Sequence, residues 1–199
     1  MLRWKTWLYA VHRWLGIGMC LLILLWFASG IIMMYVEYPE LTYEEFLERQ
    51  PALLVDEVRL SPLQAAQRLG PVSGYTAVSL ATSLGRPAYQ FETPAGSIHT
   101  VFADNGELLS ELNEAQAIEA ALASGFAVGA SGASYQRRID MDQWTVTASL
   151  NPFRPLHRVA LHDEAGTQLY VSDVTGQVVR DSDRRERFWN WLGSTIHWI

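Results

Sequence analysis

The stretch WLGIGMCLLILLWFASGIIMMYV, residues 14–36, decides the first question about this chain. Its 23 residues carry no charge, and a helix over them is about 34 Å long at 1.5 Å per residue, enough for a hydrocarbon core of about 30 Å. The reading is an uncleaved transmembrane helix. Ala28-Ser29-Gly30 offers small residues after an apolar run, as a signal-peptide cleavage site would, but Ile31, Ile32, Met33 and Met34 carry the apolar stretch past it. Cleavage there would leave a greasy new N-terminus.

Arg3, Lys5 and Arg13 precede the stretch with no acidic residue to offset them, so the positive-inside rule puts residues 1–13 in the cytoplasm. The rest is then expected outside, which for a bacterial-type chain means the periplasmic side of the inner membrane. Trp4, Trp7 and Trp14 at one end and Tyr35 and Tyr38 at the other suit the two aromatic belts. The 199 residues hold 15 Lys+Arg and 21 Asp+Glu, a net charge of −6, and all the acidic residues follow residue 36. That balance excludes a nucleic-acid binder that depends on a basic surface. A single cysteine, Cys20, excludes an internal disulfide framework.

Beyond the helix, residues 37–59 read as an acidic, Pro-bounded linker, and two similar units follow, 60–111 and 112–182. Ser61-Pro62-Leu63-Gln64 places Ser at an N-cap, Pro at the first helical position and Gln at N3, and Gly70-Pro71 stops that helix. Strand patterns come at 76–80, 87–93 and 98–103, closed by the turn Asp104-Asn105-Gly106. The order then returns: Asn113 to Gln116 repeats the cap, strands are expected at 143–149, 154–161 and 168–172, and Thr175-Gly176-Gln177 makes the turn. Arg86-Pro87-Ala88-Tyr89 matches Arg154-Pro155-Leu156-His157 at an offset of 68, and Gly106 matches Gly176 at 70. The helix starts lie only 52 apart, which places an insertion at 124–134. The expected fold is α+β, a transmembrane helix followed by two modules of one short helix packed on antiparallel strands.

Catalytic signals are poor. The chain has no Gly-rich phosphate loop, no HExxH, no GxSxG and no cysteine outside the membrane stretch. His157 and His162 are five apart on an expected strand, hence on opposite faces, and read with His99 as surface or core polar residues rather than metal ligands. Asp140-Met141-Asp142 reads as a turn. Arg180, Arg184, Arg185 and Arg187, interleaved with Asp181, Asp183 and Glu186, read as a solvated face over lipid headgroups. Binding, not catalysis, is the expected role of this chain.

HRWLG leading into a membrane helix that ends MMYVEYPELT, RPLHRVAL with GTQLYVSDVTGQVV, and the terminal RRERFWNWLGSTIHW together resemble PepSY-domain membrane proteins with PepSY-associated transmembrane helices. The resemblance implies tandem PepSY modules outside the membrane, between the first and second helices of a multi-helix protein. Residues 183–199 are then a juxtamembrane segment and the start of a second membrane helix, whose apolar run of 12 residues, about 18 Å, is too short to cross. By this resemblance the chain is expected to be the N-terminal part of something longer. PepSY modules also occur in peptidase propeptides, so the implied partners are the lipid bilayer, further membrane helices and a periplasmic protein or peptidase.

Some members of the family are similar to heme-containing reductases that carry electrons across the inner membrane to ferric siderophores during iron uptake. His12 and His197 match the positions where such proteins hold heme b. The alternative for both is an interfacial histidine among Trp14 and Arg13, or Trp189, Trp191 and Trp198. Counting residues from Tyr38 and Arg187 at the outer surface puts the two about 24 Å apart in depth, so they cannot share one heme. No cofactor is expected of this chain alone.

Overall fold

The computed structural model describes residues 3–70 and 74–198. Pro71, half of the expected helix stop, lies outside the described residues, as do Met1, Leu2 and Ile199. The fold is α+β, and it divides into two compact units: the N-terminal helix with the segment from Arg185, and Glu40–Arg184.

The first unit is built on α1, Arg3–Tyr35, 33 residues of unbroken helix. Leu24 and Phe27 are 66% and 65% exposed, and apolar side chains stand bare around the whole helix. A helix in the core of a soluble domain would hide these groups, whereas α1 is long and apolar enough to cross a membrane. Residues Arg184–Asn190 form α5, continued by the π-helical turn Trp191–Thr195. This segment runs antiparallel to α1: Asn190 Nδ2 donates to the Glu37 carbonyl at 3.1 Å. A methyl at Gly193 would meet Met33 Cγ at 3.1 Å, so the glycine lets the two backbones approach.

The second unit begins with α2, Tyr43–Arg49, capped by Thr42. The two later capping boxes lie where the sequence puts them. Ser61 caps α3, Pro62–Ala66, and Asn113 caps α4, Glu114–Ala123, each with Gln at N3 returning the bond. Strands β1 (Ala77–Ser83), β2 (Arg86–Glu92) and β3 (Ile98–Phe102) form one antiparallel sheet in the order β1-β2-β3. Its inner face, with Tyr89, Phe91 and Val101, packs on Ala65. Strands β4 (Ala133–Ile139), β5 (Leu156–Leu161), β6 (Gln168–Ser172) and β7 (Val178–Ser182) form the second, and Val159, Leu169, Val171 and Val178 pack on Ala117 and Ala121 of α4.

Three expectations need correction. The strand expected at 143–149 is absent; β4 lies earlier, beginning inside the stretch assigned to the insertion. Trp144 and Thr145 have strand-forming side chains, but Trp144 and Leu150 turn down into a third cluster with Leu156, Tyr170 and Val179 on the outer face of the sheet. Burial overrides propensity there. A fourth strand, β7, closes the second sheet, and Arg180 within it is 2% exposed rather than solvated.

The duplication is visible in the hydrogen bonds. Val171 pairs with Val178, and 70 residues earlier Val101 bridges Leu108, all that the first sheet has of a fourth strand. Ala103 N donates to Pro87 O at 2.7 Å and Asp173 N to Pro155 O at 3.0 Å, the same bond in each copy. Gly106 and Gly176 hold the same turn position at φ +79° and +65°, a region that a side chain disfavours.

Candidate functional site

His197 is held against α1 by several contacts. Its ring stacks on Trp26 with centroids 4.8 Å apart, and the Trp26 indole N–H donates to the His197 carbonyl at 3.0 Å. Ser29 Oγ lies 3.0 Å from His197 Nδ1 and 2.9 Å from the Trp26 carbonyl. Nδ1 also lies 3.2 Å from that carbonyl, which can only accept, so a proton on Nδ1 suits both contacts. These contacts engage Nδ1 and leave Nε2 outside them. A histidine fixed by its Nδ1–H and open at Nε2 is the form that ligates a metal.

His12 is exposed on α1, beside Arg13, whose guanidinium lies 5.8 Å from the Trp14 ring. Trp26 and Ser29 are 14 and 17 residues further along the helix, so His12 and His197 differ by about 21–26 Å along its axis. The two cannot ligate one heme between them. His99 and His162 are exposed. Asp140–Asp142 is irregular chain, and among the described residues no group of three or more His, Cys, Asp or Glu could hold a metal ion.

His157 is 2% exposed and belongs to a buried polar cluster that sequence patterning did not find. Its Nε2 lies 3.1 Å from Asp173 Oδ1, and the Tyr135 hydroxyl lies 3.1 Å from its Nδ1. Asp173 Oδ1 also accepts from the Leu112 amide at 2.6 Å, and Oδ2 accepts from Arg138 Nη2 at 2.8 Å. Burial pushes the Asp173 pKa up, but the bonds from Leu112, Arg138 and His157 outweigh it and hold the carboxyl below its ordinary range. Burial likewise pushes the Tyr135 phenol up. The cluster fixes Leu112, where the chain enters the second module, to the start of the β6–β7 turn and, through His157, to β5.

The outer faces of the two sheets carry a second constellation. Gln90 and Thr100 are cross-strand partners on the first sheet. Thr100 Oγ1 donates to Val174 O at 2.7 Å and Gln90 Nε2 to Gln177 Oε1 at 2.6 Å, so the β6–β7 turn of the second module docks on the first. Arg158 and Tyr170, the corresponding pair of the second sheet, hold Asp142. Asp142 Oδ2 accepts from Tyr170 Oη at 3.0 Å and from Arg158 Nη1 at 3.5 Å. Burial first, and then the Asp142 charge, push the Tyr170 phenol far up. Asp142 Oδ1 caps its own loop by accepting from Trp144 N at 3.0 Å.

No protein-family model and no curated protein matches the chain. A solved structure, the YpmB protein from Bacillus subtilis, aligns with 63% of this chain and 98% of its own at 15% identity and a TM-score of 0.24.

Proposed function

We propose that the chain is a membrane-anchored protein whose two-module exterior domain faces the periplasm and binds or regulates a partner there. The repeated module carries this reading: one capped helix on antiparallel strands, twice, with the same turn and the same bridging bond, and no catalytic constellation among the described residues. That plan agrees with what the PepSY resemblance implies, and with a periplasmic protein or peptidase as partner. Arg3, Lys5 and Arg13 support a cytoplasmic N-terminus in the inner membrane. The contacts of Trp26, Ser29 and Gly30 with His197 support an uncleaved helix, since cleavage after Gly30 would remove all three. The test is a reporter active only in the periplasm, fused after Asp181; activity is expected, and activity of a cytoplasmic reporter alone would reverse the orientation.

A second reading is favoured by the way Ser29 and Trp26 hold the His197 ring: the chain as the N-terminal part of a heme-containing reductase in iron or siderophore uptake. His197 would hold one heme b and His12 another, each together with a histidine from a further helix. Bound heme would supply one-electron transfer; in this chain Ser29 and Trp26 orient the His197 ring. A Soret band in the purified membrane protein supports this reading, and its absence from the longest expressed form removes it.

A further inference from the structure

Helix α2 is too short to stand by itself. Its seven residues fall below the about 12–15 that an isolated helix needs in water, so it must be held from outside its own backbone. Both ends are held. Thr42 and Glu45 close a capping box at the start, and at the finish Arg49 Nη1 donates to the Gly125 carbonyl at 3.0 Å and Gln50 Nε2 to the Val178 carbonyl at 3.3 Å. None of these bonds uses the apolar side. At about 100° per residue, Phe46, Tyr43 and Leu47 share one arc of the helix, and Glu44, Glu45, Glu48 and Arg49 take the rest. Tyr43 and Leu47 are 74% and 53% exposed, and no residue of α2 is buried.

We infer that α2 is a second anchor, lying on the bilayer surface with Tyr43 and Leu47 at the boundary between headgroups and acyl chains. The first argument for lipid as the occupant is reach. Asn190 Nδ2 bonds the Glu37 carbonyl just past the end of α1, and Asn190 is flanked in sequence by the exposed rings of Phe188, Trp189 and Trp191, the composition of an aromatic belt. Tyr43 follows Glu37 by six residues, a span of at most about 20 Å. Val178, which accepts from Gln50, precedes Arg184 of α5 by six more, again about 20 Å of extended chain. Short tethers therefore run from both ends of α2 to the level where α1 leaves the hydrocarbon. The second argument is chemistry. A charged face opposite an apolar arc is the pattern of an interfacial helix, and tyrosine is the side chain whose ring and hydroxyl suit that depth. With three glutamates against one arginine and no lysine, α2 is held by apolar area and not by anionic headgroups, so phosphatidylcholine suffices.

The inference rests on the membrane-anchored reading above, and one control separates the two. The full chain is reconstituted in phosphatidylcholine vesicles and labelled at a single cysteine with the fluorophore NBD: at Cys20, exposed near the middle of α1, or, in a Cys20→Ser background, at Leu47→Cys or Glu48→Cys. Phospholipids bearing a nitroxide deep in the acyl chain should quench the label at Cys20, which reports the anchor alone. Nitroxides placed just below the headgroup should quench the label at position 47 about threefold or more as strongly as that at position 48, on the charged face. Adding Tyr43→Asp should remove the difference. Quenching at Cys20 with equal quenching at 47 and 48, or none at either, overturns the inference and leaves the anchor standing. A label at 47 that is blue-shifted but unquenched lies under protein, and that overturns it too. No quenching at Cys20 overturns the anchored reading and the inference with it.

Discussion

The two sheets of the exterior unit start from one plan and cover their outer faces with opposite chemistry. On β1-β2-β3 the central pair is Gln90 and Thr100, both neutral, and the cover is a turn from the other module. On β4-β5-β6-β7 the pair is Arg158 and Tyr170, and the cover is an inserted loop that brings Asp142. Neutral hydrogen bonds suit a contact between two modules, since neither partner strands a charge when the surfaces meet. A buried carboxylate against a guanidinium commits the loop more firmly, because removing either partner leaves a charge without compensation. The same contrast holds for the acidic residue of each turn. Asp104 forms a partly exposed pair with Arg86 at 2.7 Å, whereas Asp173, in the position of Ala103, faces inward and is 3% exposed.

The largest expected effect breaks the second module and spares the first pair. Asp173→Ala leaves Arg138, His157 and the Leu112 amide without their common acceptor and should cost about 3–5 kcal/mol. Asp104→Ala should cost about 1 kcal/mol or less, as partly exposed pairs do. Chemical denaturation of residues 40–184, a fragment expected to fold in water without detergent, reads both. Equal losses would show that the inward carboxylate has no special part. Trp144→Ala should fall in the same high range, about 3–5 kcal/mol, because it empties the third cluster.

The turn glycines sharpen the comparison. A methyl at Gly176 would run into Ser83 Oγ of the other module, and one at Gly106 would meet Leu60 Cδ1 at 2.9 Å and Arg68 Nε at 3.0 Å, both ends of longer side chains. Both variants carry the same left-handed strain of about 1–2 kcal/mol. Gly176→Ala should lose more than Gly106→Ala in thermal melts, because its neighbour is a short side chain anchored on β1.

Acid should act more on the second module. The Asp173 pKa is depressed in the folded chain, so its contribution is full above the unfolded value of about 3.9 and is lost as pH falls through the lower folded value. The Arg86 hydrogen bond depresses Asp104 in the same direction, from a more exposed site. Stability of the 40–184 fragment between pH 7 and pH 2 should therefore show a shallower acid limb in Asp173→Asn than in Asp104→Asn.

Much of this plan was legible. The caps at Ser61 and Asn113 were readable because a hydroxyl or amide three residues before Gln has one good use at a helix start. The repeat was readable through Gly106 and Gly176, since a left-handed turn restricts the residue types it accepts. What escaped was decided by tertiary burial. The segment Tyr135-Gln136-Arg137-Arg138 lacks the alternation of a strand, yet pairs with β5, and Trp144-Thr145-Val146-Thr147 has the composition of a strand, yet forms a loop packed over the sheet. The Asp173 cluster was hidden because its members lie 16 to 61 residues apart in sequence. His197 was found from its place in a motif, but its contacts with Ser29 and Trp26 are ones that no spacing reveals.

The smallest expected effect tests whether the two modules fold as one. Thr100→Val removes one neutral bond, to Val174 O, and Gln90→Ala removes the bond to Gln177; each should cost about 1 kcal/mol. The Gln90 change combined with Gln177→Ala should fall short of additivity by about 0.5–1 kcal/mol, because the two side chains share one bond. Gln177 also donates to Gln50 Oε1 at 2.9 Å, so the double mutant loosens the linker along with the modules. Modules of this size bury too little surface to stand alone, so every variant should still melt in a single transition seen alike by tryptophan fluorescence and far-UV circular dichroism. The tryptophan within the 40–184 fragment is Trp144, in the second module. If fluorescence and circular dichroism separate in Thr100→Val, the modules melt apart and the docked turn is what couples them.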